Sequence, residues 1–160
     1  MQLEKKLWWA ITGLCLVGVS IALVSQHAFN MQPCAWCVFQ RLIYLVLALV
    51  ASVGALNQGL IFRLFFSMLG LSLTVAGVFA AWYQAQVASN TFSCAQTLAD
   101  LLMTQTGLET ALPALFGIYA SCMDARVKVF GLEYAYWSLL LFVILGVIFS
   151  TIIGGLRKNN

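Results

Sequence analysis

Along the chain, apolar and polar positions separate into four long uncharged runs divided by polar breaks. The runs cover residues 7–26, 42–62, about 64–84 and 134–156. None alternates with a period of two. Each is continuous over roughly 20 residues, the length a helix needs to cross the hydrocarbon core of a bilayer. Lipid offers no partner to a free backbone group, so a spanning segment is either a helix or part of a closed barrel, and continuous runs select helices. The pattern predicts one integral membrane domain over residues 1–160. Its spans are expected near 7–26, 40–57, 63–84 and 134–156, with loops near 27–36 and 85–133 on the other side from the termini. The predicted fold class is an all-α membrane protein, a four-transmembrane-helix bundle with one long loop.

Composition sharpens this picture. Of 160 residues, 62% are hydrophobic and 8% charged, against about 25% charged in a typical soluble domain. A net charge of +3 without an extended basic run gives no purchase on a phosphate backbone, so nucleic acid is not an expected partner. Lys5 and Lys6 precede the first run as they would in a signal peptide. That run is longer than the usual ~7–15-residue signal core and no A-x-A-like site follows, so it is read as a retained span.

The positive-inside rule weighs Lys5, Lys6, Arg63, Arg157 and Lys158 against Arg41, Arg126 and Lys128, and predicts cytoplasmic termini with outward loops. Trp36, Trp82, Tyr83, Tyr134, Tyr136 and Trp137 are then expected in the outer aromatic belt, and Trp8 and Trp9 in the inner one.

On this topology Cys34, Cys37, Cys94 and Cys122 all lie at or beyond the outer face, where an oxidising compartment lets disulfides persist. Cys15 falls mid-span and reads as a small buried hydrophobe. "QPCAWCVFQR" begins with Gln32, whose helical conformation Pro33 disfavours, while Pro33 itself suits a first helical position. A helix opening there sets Cys34 and Cys37 at its positive end, a placement that lowers thiol pKa values. Arg41 is four residues beyond Cys37 and shares its face, a cation placed to stabilise a thiolate and any anion bound beside it.

Other readings stand beside this one. The CxxC pair also suits a structural disulfide, Arg41 also suits snorkelling to lipid phosphate, and a zinc site is weak because His27 is the only histidine and the other cysteines lack metal spacing. A Cys94–Cys122 disulfide would close a loop worth roughly 3–4 kcal/mol in the chain-entropy model; alternatively, the two pairs exchange, the loop pair meeting a soluble protein and the CxxC pair meeting something in the bilayer. "LADLLMTQ" suits a short interfacial helix or a segment packed on the span ends. Ser72, Ala76 and Ala80 recur every four residues and predict close packing of the third span, with Gln84 at its outer end as a ligand contact or an interface cap. His27 reads as interfacial rather than catalytic.

Four spans, "PCAWCVFQR", and single cysteines in "FSCAQ" and "YASCMDA" followed by "GLEYAYW" together resemble the DsbB family of bacterial disulfide-bond formation proteins. The resemblance covers nearly the whole chain. It implies an inner-membrane protein-disulfide:quinone oxidoreductase that reoxidises a periplasmic thioredoxin-like partner, DsbA, and passes the electrons to ubiquinone or menaquinone without a metal. It implies redox-active disulfides Cys34–Cys37 and Cys94–Cys122, with Cys94 forming the mixed disulfide, Cys122 attacking Cys34, and Cys37 facing the quinone beside Arg41 and Gln84. One departure is at Gln84, where family members can carry a histidine or another polar, charged residue; a neutral amide hydrogen-bonds a carbonyl but does not readily give up a proton. A reductase of the vitamin K epoxide type and a non-enzymatic scaffold with two static disulfides are the alternative readings.

Overall fold

A computed structural model of the chain describes residues 2–57, 59–88 and 98–158. Its elements are α1 (Gln2–Ala28), α2 (Ala35–Leu56), α3 (Leu60–Gln86), α4 (Leu98–Thr106), α5 (Leu108–Ala111), α6 (Pro113–Phe116), the strands β1 (Lys128–Val129) and β2 (Leu132–Glu133), and α7 (Tyr134–Lys158). Among the described residues, four helices are long and apolar enough to cross a membrane: Glu4–Ala28, Ala35–Leu56, Leu60–Gln86 and Tyr134–Leu156. They pack in the ring order α1, α2, α3, α7, with the α7–α1 contact the sparsest. The start of α1 and the end of α7 therefore lie at one end of the bundle, and the CxxC motif and residues 98–133 at the other.

Lipid supplies no hydrophobic drive between helices, so close association depends on small residues that admit a neighbour's bulk. Gly54 receives the Trp8 ring, Gly70 the Phe149 ring and Gly77 the Phe142 ring; a Cβ at any of the three would collide with that ring. Trp8 and Phe149 meet edge to face at 5.8 Å, while Tyr44 and Phe142 stack at 4.2 Å. Near the terminal end, Arg63 of α3 forms an ion pair with the buried Glu4 of α1 at 2.9 Å.

Several expectations change at this level. The packing face of α3 runs through Ser67, Gly70, Thr74, Gly77 and Ala81; of the expected stripe Ala80 is buried, while Ser72 and Ala76 are exposed. Ring partners on α7 select the face that carries glycine. Trp8 and Trp36 are buried in the core instead of forming belts, whereas Trp9, Trp82 and Trp137 stay partly exposed. "LADLLMTQ" does form a helix, α4: it buries Ala99 and Met103 and leaves Leu98, Leu101 and Leu102 outward. Met103 joins Val38 of α2 and Phe116 of α6, which fixes this helix against the cysteine end of the bundle.

The loop also contains a hairpin with no counterpart in the expectations. Lys128 pairs with Glu133 and Val129 with Leu132. Its turn is made by Phe130 and Gly131, both at positive φ, the geometry of a tight hairpin turn. Arg126 bonds Glu133 at 2.6 Å, and Trp137 Nε1 donates to the Val129 carbonyl at 3.1 Å, so the hairpin is tied to the first turn of α7.

Candidate functional site

The site begins with the start of α2. Cys34 is the N-cap, with extended backbone at φ −89° and ψ 171°, and the first helical bond runs from the Val38 N–H to the Cys34 carbonyl at 3.0 Å. The helix thus opens after Pro33 rather than at it. A helix opening at Pro33 would place the Pro33 carbonyl opposite the Cys37 N–H. Instead that carbonyl accepts the N–H groups of Tyr119 and Ala120, at 3.1 and 3.3 Å. These two bonds draw the following residues onto the CxxC motif, where Ile118, Cys122 and Ala125 pack with Cys34, Ala35 and Trp36.

Three thiols meet there. The Cys34 and Cys37 sulfurs are 3.1 Å apart, and the Cys122 sulfur is hydrogen-bonded with that of Cys34. Cys34 is fully buried. Contact with the Cys122 sulfur, then contact with the Cys37 sulfur and then burial push the Cys34 thiol well above the ordinary thiol range. The lowered value expected from the helix terminus is not met at Cys34, because neighbouring sulfurs and lost solvation outweigh the dipole. Cys94 lies outside the described residues, and so does its pairing with Cys122. Cys15 is buried in the main core among residues such as Trp8, Tyr44 and Leu47. His27 is exposed and donates through Nδ1 to the Leu23 carbonyl at 2.9 Å.

Cys37 points the other way, into a cavity of about 400 Å³ between α1, α2 and α7. Gly18, Ile21, Ala22 and Leu141 give it apolar walls, and Cys37, Gln40, Arg41 and Gln84 form a polar side. Val127, Val129 and Phe130 of the hairpin region also line it. The opening follows from the sparse α7–α1 contact described above. Gln84 Nε2 donates to the Cys37 sulfur at 3.1 Å, and Gln84 Oε1 accepts from Gln40 Nε2 at 2.7 Å. Arg41 is buried; its Nη1 donates to Gln26 Oε1 at 2.6 Å and to the Leu115 carbonyl at 3.1 Å, and its Nη2 to the Ala22 carbonyl at 3.4 Å. Its Nε has no hydrogen-bond partner among the described residues. Tyr44 donates to Ser138, and Tyr134 is hydrogen-bonded with Ser25, on the same cavity wall.

The structure therefore brings Cys34, Cys37, Cys122, Arg41 and Gln84 into one neighbourhood. Sequence reasoning missed Gln26, Gln40, Ser25 and Tyr134. Gln40 carried a usable signal: it is an amide in an apolar run, three residues after Cys37, and so a neighbour along the helix surface.

The arrangement is a row of sulfurs running from a loop to a cavity open among membrane helices. A family model described as "Disulfide bond formation protein DsbB" matches residues 4–152. The chain belongs to the DsbB family. Its curated relatives agree in name and span. Disulfide bond formation protein B of Dechloromonas aromatica is 29% identical over 99% of this chain and 97% of the relative. The protein of the same name from Pseudoalteromonas atlantica is 30% identical over 98% and 94%, and that from Herminiimonas arsenicoxydans is 28% identical over 92% and 93%. This DsbB-family chain is thus a helical membrane protein of disulfide bond formation, and its four apolar helices fit a multi-pass protein of the inner membrane.

Proposed function

We propose that the chain is a thiol oxidase that reoxidises a DsbA-like periplasmic dithiol and delivers the electrons to a membrane quinone, with its termini in the cytoplasm and its cysteine loops in the periplasm. The observation that carries this reading is the sulfur order: Cys122 touches Cys34, Cys34 touches Cys37, and Cys37 lines the cavity. Two static crosslinks have no use for a third sulfur against Cys34, which argues against a scaffold.

The exchange balances as follows. One thiolate of the partner attacks the Cys94–Cys122 disulfide, joins Cys94 and releases Cys122. The Cys122 sulfur then attacks Cys34, forming Cys34–Cys122, while the electron pair of the broken Cys34–Cys37 bond leaves on Cys37. The partner's second thiol resolves the mixed disulfide and frees Cys94. Cys94 attacks Cys122, restoring the loop disulfide and leaving Cys34 and Cys37 as a dithiol. Burial and sulfur contacts push the Cys34 thiol up, which makes it the poorer leaving group of its pair and suits it to be the sulfur attacked rather than the attacking thiolate.

A quinone fits the residues present. The cavity walls are largely apolar, Arg41 is on its polar side, and Arg41 Nε is a buried donor with no partner among the described residues. Arg41 and Gln84 would hold the head group, with Cys37 facing it. When bound, the quinone supplies a lipid-soluble acceptor for two electrons and two protons. Arg41 is held by Gln26, Leu115 and Ala22, so its charge is fixed in place before any ligand arrives. Val127, Val129 and Phe130, at and beside the hairpin, line the cavity as well.

The test is an anaerobic single turnover of the full-length protein with a reduced DsbA-like partner and defined ubiquinone or menaquinone. One partner disulfide should form per quinone consumed. Oxidation of the partner without any quinone consumption, or no oxidation at all, overturns the reading.

A further inference from the structure

The amides beside Cys37 form a directed chain that the exchange steps leave unused. Gln40 Nε2 donates to Gln84 Oε1 at 2.7 Å, and Gln84 Nε2 donates to Cys37 Sγ at 3.1 Å. Both glutamines are buried, at 4% and 6% exposure, where an amide cannot exchange partners with bulk water. A primary amide has an acceptor at one end and donors at the other. Left to itself, Gln84 could turn either end toward the sulfur. An oxygen there would repel an electron-rich sulfur, whereas an N–H attracts it. Gln40 removes the choice by donating to the oxygen. The helices supply the placement: Gln40 follows Cys37 by three residues on α2, and Gln84 reaches both from α3.

We propose that Gln40 is a positioning residue that locks the Gln84 amide with its nitrogen toward Cys37 and thereby sets how strongly the Cys34–Cys37 couple oxidises. Reduction places electron density on the Cys37 sulfur, and the N–H donor stabilises that reduced form. A couple whose reduced form is stabilised is the stronger oxidant. Removing the lock therefore makes the couple a weaker oxidant. The same geometry commits Gln84 to meet a ligand as a donor, because its oxygen already serves Gln40.

This inference rests on Cys37 being the sulfur that faces the acceptor. Its test involves neither quinone nor partner, so its failure is distinct from failure of the oxidase reading, which appears in turnover. Full-length protein carrying Cys94→Ala and Cys122→Ala, freed of quinone, is equilibrated with glutathione buffers. The Cys34–Cys37 state is then read by alkylation and mass spectrometry. Gln40→Met should shift the equilibrium about three- to tenfold toward the disulfide, roughly 14 to 30 mV. Gln84→Met should shift it at least as far, and the double variant should match Gln84→Met alone. Gln40→Leu carries the same expectation and serves where Gln40→Met does not accumulate. An unchanged equilibrium in the Gln40 variants overturns the proposal. So does a Gln40 effect that persists in full on the Gln84→Met background, since Gln40 would then act by a route other than Gln84.

Discussion

The two ends of the helix bundle are built on opposite rules. At the terminal end and through the middle, aromatic rings fill glycine notches: Trp8 at Gly54, Phe149 at Gly70, Phe142 at Gly77. At the cysteine end, α1 and α7 part around a cavity of about 400 Å³, and Gln26, Gln40, Arg41 and Gln84 gather beside it. Side chains that lipid would reject are tolerated there because each is hydrogen-bonded to a polar partner. One set of helices thus supplies a rigid base and a polar, open head. Sulfur chemistry depends on the head, and the accuracy of its geometry depends on the base.

The largest expected effect breaks the head alone. Cys37→Ser should bring quinone-dependent oxidation of a DsbA-like dithiol to background while the thermal transition stays in place. Retained turnover would remove Cys37 from the sulfur row. Arg41→Met comes next, with the KM for quinone rising roughly tenfold through loss of a charge-assisted contact. Quinone kinetics identical to the parent would leave Arg41 as a structural cation only. Gly70→Leu strikes the base. It should lower stability by about 1–3 kcal/mol through overpacking, visible in unfolding, with turnover per folded molecule within about twofold. A severe loss of turnover in molecules shown to be folded would mean that the two ends are not separable. Smallest of all, Cys15→Ala should leave turnover unchanged, since Cys15 sits among core residues away from the sulfur row; a large loss contradicts that placement.

What was legible in the sequence was what short-range spacing encodes. Continuous apolar runs disclose helices because lipid allows little else. Cys34, Cys37 and Arg41 lie within two helical turns, so their common neighbourhood follows from period alone. Gln84 stood out as an amide at the end of an apolar span. The rest depends on which faces meet. Nothing local tells that Gly70 and Gly77 face α7 while Ser72 and Ala76 face outward, because both sets are small and similarly spaced. Gln40 and Gln26 look like incidental polar residues until α3 and the Arg41 side chain are placed beside them. The hairpin at Lys128–Glu133 was obscured because its two strands are only two residues each and its turn uses Phe130 at positive φ in place of the usual asparagine or glycine. Trp8 and Trp36 were misassigned for a related reason: an indole near a span end suits the bilayer interface, but these two find ring partners inside.

The late opening of α2 has a consequence for how this region tolerates change. The Pro33 carbonyl grips the chain at Tyr119 and Ala120 through main-chain groups alone. Any residue other than proline offers the same N–H, so substitution at 119 and 120 leaves the grip intact. The seating of Cys122 against Cys34 is here encoded in backbone, and residues 119 and 120 are free to change without losing that contact.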